Sequence, residues 1–170
     1  PSLRSKADDY VFSALCVKSH LYKNPALIIT ESDYAEMIVD GKYDGGVDVL
    51  LTDPSSESSD LVIAQSKYYT TISFEDVFNA MTKMAAFYND MQRGHYEQVN
   101  ATVQRRFLTL NSEVGEESRI HFVFYTSALQ SGINKARVEK KFRELFADSS
   151  QFEVSIFFGK DIVEEIKESE

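Results

Sequence analysis

Two short apolar runs restrict the fold more than anything else in the chain. Val47-Asp48-Val49-Leu50-Leu51 is entered through Gly45-Gly46, and Leu61-Val62-Ile63-Ala64-Gln65-Ser66-Lys67-Tyr68-Tyr69 follows after the polar turn Asp53–Asp60. Each run is too short for a buried helix and rich in β-branched residues. Each is also bounded by turn formers, so the pair predicts a hairpin with a loose loop. Further on, Ile120–Thr126 is apolar enough to be a central strand, Asn134–Phe146 has helical amphipathicity, and Phe152–Phe158 is again a strand. Gly159-Lys160-Asp161 then opens a last helix. Strand, helix, strand, helix in that order predicts a right-handed parallel crossover. A hairpin joined to such a unit gives an α/β chain with a central mixed β-sheet flanked by helices.

Helical spacing predicts the covering layers. Tyr10, Val11, Ala14, Leu15, Val17 and Leu21 recur on one face of a helix from Ser5 to Tyr22. Ser5 is its cap, Asp8 and Asp9 stand in its first turns, and Asn24-Pro25 ends it. A short helix is expected over Asp33–Val39, stopping at Gly41. Thr71 or Ser73 caps a long helix to Met91 with Phe74, Val77, Phe78, Met81, Met84, Ala85 and Tyr88 on one side, and Asn100–Leu110 forms another. With 170 residues and 43% apolar content, residues 1–170 read as one domain with its own core. The start at Pro1 and the charged tail KDIVEEIKESE suggest a domain excised from a longer protein.

Charge and cysteine content narrow the chemistry. The net charge of −9 does not suit a free-standing nucleic-acid binder, so phosphate contacts would have to come from local basic surface or from further domains of the same protein. The single cysteine, Cys16, excludes an internal disulfide and a cysteine-based zinc site, reads as a small core residue, and fits a cytoplasmic setting. No apolar stretch reaches the roughly 20 residues that span a bilayer, so no membrane partner is expected.

The chemistry is concentrated in Tyr43–Leu51 and Val62–Tyr68. Phosphodiester cleavage needs a carboxylate-held divalent ion, a positive group near the attacking water or the phosphate, and backbone that admits the nucleic acid. Asp48 supplies a carboxylate. Gln65 and Lys67, two apart on the next strand, share one face, which the hairpin sets beside Asp48. Gly45-Gly46 permits unusual backbone angles and close approach of a ligand. Lys67 would either have a lowered pKa beside a metal or stay charged and pair with Asp48. The competing reading makes Gln65 and Lys67 the solvent-facing polar stripe of an edge strand, and the residues alone leave both open.

GGVDVLL followed by LVIAQSKYY resembles the core of PD-(D/E)XK endonuclease domains, in the branch where Gln replaces the acidic residue of the D/E-x-K element. Mrr-type restriction endonucleases share this pattern. So does the N-terminal nuclease-like domain of the abortive-infection phage-resistance (AIPR) proteins, whose DGGID…QSKY core is similar to DGGVD…QSKY here. The resemblance is sharp over residues 43–69 and architectural elsewhere. It implies a restriction-endonuclease-like fold with an αβββαβ core. It also implies a Mg²⁺- or Mn²⁺-dependent endonuclease that cuts DNA in phage defence or restriction, with a homodimer as a further expectation. By the same resemblance Asp48 and Gln65 are metal ligands, Ser66 offers its backbone carbonyl, and Lys67 is the catalytic lysine. The acidic residue of the first helix maps loosely to Asp9, with Asp8 next. Gly45, Gly46 and Tyr68 fall on the substrate side. Gln is a neutral and poorer ligand than Glu, which shifts weight onto Asp48 and Asp9. Some nuclease-fold domains have lost activity, so a nucleic-acid-binding or assembly module is the alternative.

Other residues have competing readings. Asp40 and Asp44 are second-metal candidates or ordinary acidic turn residues. Lys135, Arg137, Lys140, Lys141 and Arg143 form a phosphate-binding patch or a solvated helix face, and Arg105-Arg106 reads the same way. Tyr68 and Tyr69 could line a substrate groove, although alternation should send one into the core. His20, His95 and His121 lack ligand spacing and read as structural. Lys160 does not belong to a phosphate loop, and no Walker, GxSxG or dinucleotide motif is present.

Overall fold

The computed structural model describes residues 8–21, 28–39, 41–42, 45–130, 132–146 and 150–168. Helix α1 (Asp8–Leu21) and α2 (Glu31–Met37) precede a hairpin of β1 (Val49–Thr52) and β2 (Leu61–Lys67). Helices α3 (Phe74–Gln92) and α4 (Ala101–Asn111) lead to β3 (Ile120–Thr126), followed by α5 (Lys135–Arg143), β4 (Phe152–Phe157) and α6 (Gly159–Glu168). The sheet runs β1-β2-β3-β4, with β1 antiparallel to β2 and the other neighbours parallel. Among the described residues the protein is therefore α/β, with a four-stranded mixed open sheet flanked by six helices.

Period-2 alternation divides the inner strands between two cores. Leu61 and Ile63 of β2, with Ile120, Phe122 and Phe124 of β3, pack on the face covered by α3, α4 and α5. Val62 and Ala64, with Val123 and Tyr125, face α1, α2 and α6. Both faces of β2 and β3 are covered, so these strands read as nearly continuous apolar runs.

Capping residues set the helix starts. Ser73 is the cap of α3 and forms a reciprocal capping box with Asp76, which settles the choice between Thr71 and Ser73. Asn100 and Asn134, the first residues of two expected helical segments, cap α4 and α5. Thr30, in a box with Asp33, starts α2 two residues earlier than expected. The expected cap Ser5, the terminator Asn24-Pro25, and both Asp40 and Asp44 lie outside the described residues.

Among the described residues, one expectation drawn from the resemblance, the αβββαβ order, changes. Two named strands, not three, precede the first crossover helix. The place of an outer strand is taken by a single antiparallel bridge, Ile38 to Val49, with the Val39 N–H donating to the Asp48 carbonyl at 2.9 Å. The segment has no length for more, because Gly41 and the glycine turn follow at once. Beyond the bridge, Arg106 of α4 donates to the Leu50 carbonyl at 3.3 Å, a side chain satisfying an edge carbonyl of β1.

Gly45 and Gly46 both adopt left-handed backbone, φ +74° and +77°. A Cβ on Gly45 would lie 2.7 Å from Phe87 Cδ2, and one on Gly46 would lie 3.1 Å from Lys83 Cβ. The close approach these glycines allow is that of helix α3. Gly45→Ala therefore meets both a disfavoured φ and a buried ring. We expect it to cost about 2 kcal/mol, read as a lowered urea midpoint with an unchanged m-value; a loss within error would show that Phe87 relaxes freely.

Candidate active site

Asp48 stands at the N-terminal end of β1, one residue before the ladder that pairs Val49 with Ala64. Its own N–H donates to the Ala64 carbonyl at 2.9 Å. Its carboxylate, on a residue only 8% exposed, accepts the Ser66 N–H at 2.8 Å and lies 3.5 Å from the Ser66 hydroxyl. That hydroxyl is 2.6 Å from the hydroxyl of buried Ser13 on α1. Helix α1, the end of β2 and Asp48 are thus tied by one polar relay. The Cys16 thiol, beneath the same helix, is pushed well up in pKa by burial first and by the Asp48 charge second. It is a protonated core thiol, as its sequence context suggested.

Gln65 lies directly beyond Ala64, where the hairpin register continues to Asp48. It is 5% exposed, and its Oε1 has no hydrogen-bond partner among the described residues. The solvent-facing stripe is therefore excluded for Gln65: β2 is an inner strand, flanked by β1 and β3. A buried amide oxygen without a donor is costly, of the order of 1–3 kcal/mol. It needs a reason in function or in a bound group.

Strand β2 ends at Lys67, two residues short of the run to Tyr69, and Lys67 is half-buried. Its ammonium sits over the Tyr69 ring, 5.9 Å from the centroid, and not in an ion pair with Asp48. The backbone around it is anchored: the Lys67 carbonyl accepts from Ser127 N–H at 3.2 Å, and the Tyr69 carbonyl accepts from the Ser127 hydroxyl at 2.8 Å. Because the strand stops at Lys67, alternation lapses. Tyr68 and Tyr69 are both exposed, at 53% and 47%, and neither enters the core. Tyr68 leans on Phe12 of α1, with ring centroids 5.6 Å apart.

Asp9 is exposed on α1, on the same stripe as Ser13 and one turn, about 6 Å, nearer the helix N-terminus. Among the described residues no group of three His, Cys, Asp or Glu side chains converges as a metal site. The donor set at the strand ends is instead one carboxylate, the unpartnered amide oxygen of Gln65 and the backbone carbonyl of Ser66. All are oxygen donors, the type Mg²⁺ and Mn²⁺ take, and a single protein carboxylate suits an ion that keeps several waters. The residues present therefore fit such an ion, with low protein charge around it.

The basic helix face is largely engaged. Lys135 pairs with Asp161 at 2.6 Å and lies over Phe158, Arg137 stacks 4.8 Å from the Phe74 centroid, and Lys141 lies over Phe74 and Phe78. Arg143 donates to the Phe152 carbonyl. This is neither a free phosphate patch nor a fully solvated face, because the aromatic start of α3 draws the cations in. Arg105 donates to Ala101 within its own helix.

The histidines hold loops. His121 lies between Asp60, at 3.6 Å, and Glu153, at 3.2 Å. His95 is 4.0 Å from Asp90. His20 faces Asp53 at 3.6 Å, longer than a well-formed hydrogen bond. That imidazole, followed by the hydroxyl and N–H of Ser55, holds the Asp53 carboxyl well below the usual carboxylate range.

Two outcomes follow. Gln65→Leu removes a buried oxygen without a donor and keeps the volume, so in EDTA it should raise stability by about 1 kcal/mol. An unchanged or lowered urea midpoint would mean that the amide already has a partner. For Asp53, folding lowers the carboxyl pKa, so its contribution is complete above the unfolded-chain value near about 4 and is lost as pH falls from there. The stability gap between the wild type and Asp53→Asn should be constant at neutral pH and close below about pH 4, as followed by urea titrations across that range.

No family model, curated protein or solved structure matches the chain in the comparisons made.

Proposed function

We propose that this domain is a Mg²⁺- or Mn²⁺-dependent endonuclease of the PD-(D/E)XK type acting on DNA, with a role in restriction or phage defence. The observation that carries the reading is the unpartnered, buried Oε1 of Gln65, on the residue opposite Asp48 at the point where β1 and β2 part. A purely structural strand end would more economically carry an apolar side chain there. The bridge at Ile38 supports the same reading, since it stands where the αβββαβ core has its first strand.

In this proposal Asp48, Gln65 and the Ser66 carbonyl hold the divalent ion, with Asp9 reaching from α1. When bound, that ion supplies an activated water and charge neutralisation at the phosphate. Ser66 fixes the Asp48 carboxylate through its N–H, and Ser13 fixes Ser66, so the carboxylate does not have to be ordered at the moment of reaction. Lys67 places a positive charge against the non-bridging phosphate oxygens as negative charge builds on them. Among the described residues its partner is a tyrosine face, from which it can be recruited without breaking an ion pair. Burial of Asp48 and Gln65 lowers the local dielectric and strengthens these interactions.

One observation favours the second reading, a nucleic-acid-binding or assembly module that does not cut. The described residues hold no three-carboxylate cluster, and the one buried carboxylate already accepts a backbone hydrogen bond.

Cleavage of supercoiled plasmid with Mg²⁺ or Mn²⁺ separates the two. Wild type should nick or linearise it. Lys67→Ala should be slower by on the order of 100-fold, and Asp48→Ala should be inactive. Equal inertness of all three, in folded protein and at any metal concentration, would sink the nuclease reading and leave the module.

A further inference from the structure

At the carboxyl ends of β2 and β3, next to Lys67, the surface opens into a groove of ≈ 630 Å³ between α1 and α6. This volume is within the usual range for a site that takes an organic ligand. Its walls are Phe12 and Leu15 of α1, Tyr68, Leu129, and Ile162 and Val163 of α6. Leu129 is 71% exposed, and Leu15, Tyr68 and Val163 are each between 40% and 53% exposed, so apolar side chains meet water side by side here. Its floor is closely packed backbone: the Gly159 N–H donates to the Ala128 carbonyl at 3.2 Å, and a Cβ on Gly159 would lie 2.5 Å from the Ser127 carbonyl oxygen.

The charge around this groove runs against that of the whole chain. Lys160 and Lys167 line it against a single glutamate, Glu164, in a protein of net charge −9. An apolar trough rimmed by lysines suits a ligand with flat apolar faces and an anionic backbone. Duplex DNA does not present that combination, because its base faces are stacked inside and its exterior is phosphate and sugar. An unstacked strand does present it. Tyr68 is held from one side by Phe12 and is otherwise half exposed, the arrangement of a stacking platform.

We infer that the groove binds the bases of a single-stranded nucleic acid, seating one or two beside Tyr68 while the adjacent phosphates lie toward Lys160 and Lys167. This deepens the nuclease reading above, on which it rests; it names an unpaired strand as the substrate class. Binding is to be measured in EDTA, by fluorescence anisotropy, with a fluorescein-labelled oligothymidine, the matching oligouridine, and a duplex of the same length. Without metal the result is independent of cleavage, so a failed groove and a failed nuclease are told apart by this titration and the plasmid assay.

The single strands should bind more tightly than the duplex. Tyr68→Ala should weaken that binding by about 5- to 150-fold, the span of losing one stacked base. Leu129→Gln, at an exposed position that cannot disturb the core, should weaken it as well. Duplex binding as tight as single-strand binding, or wild-type affinity in both variants, would overturn the inference. So would an absence of binding, and if sedimentation then showed a dimer lost in Leu129→Gln, the groove would belong to a second copy of this chain.

Discussion

Strand β2 has partners on both edges and helices on both faces, and the rest of the molecule is arranged to satisfy it. Its antiparallel edge is served by a short hairpin, its parallel edge by a crossover through α3 and α4. Parallel pairing with β3 brings β3 in along its full length, Leu61 beside Ile120 and Lys67 beside Thr126. A strand enclosed in this way must be apolar, and β2 is, until Gln65. There β1 has run out and cannot pair with the Ser66 N–H, so the Asp48 side chain takes over the bond. The polar end of β2 is therefore buried by the same packing that makes its beginning apolar. Asp48, Gln65 and Ser66 are brought together by strand lengths alone: a β1 two residues longer at its N-terminus would replace the carboxylate with a backbone carbonyl.

Much of this was legible from residue order because it rests on local rules. Ile120–Thr126 appears with the bounds its apolar run implied, and Ser73, Asn100 and Asn134 cap the helices they precede. The pairing of Asp48 with Gln65 followed from hairpin spacing. The features that could not be read depend on partners distant in sequence. Gly45 and Gly46 could be seen to need special backbone, but Phe87 and Lys83, which explain why, come some forty residues later. The polar stripe at Gln65 and the inward turn of a tyrosine were open questions because alternation says nothing about where a strand ends or which strand is inner. Ending β2 at Lys67 freed both tyrosines, and pairing with β3 buried Gln65. Ser13 gave no signal, since one serine on a helix carries no pattern; only its hydroxyl 2.6 Å from Ser66 distinguishes it.

The distribution of positive charge decides how an acidic chain can meet a polyanion at all. Helix α5 carries the densest basic run, yet Phe74, Phe78, Phe158, Asp161 and the Phe152 carbonyl engage four of its five cations. Moving any of them to a phosphate would expose aromatic surface or break a partly buried ion pair, and both oppose the gain. The cations that can be used cheaply are those with weak attachments: Lys67 over one tyrosine face, and exposed Lys160, whose pairing with Glu164 is 3.8 Å long and worth little. These stand at the carboxyl ends of the parallel strands, where open α/β sheets commonly bind ligands. A polyanion approaching that end of the sheet would meet cations that it can engage without exposing aromatic surface, whereas most of those on α5 would first have to give up their contacts.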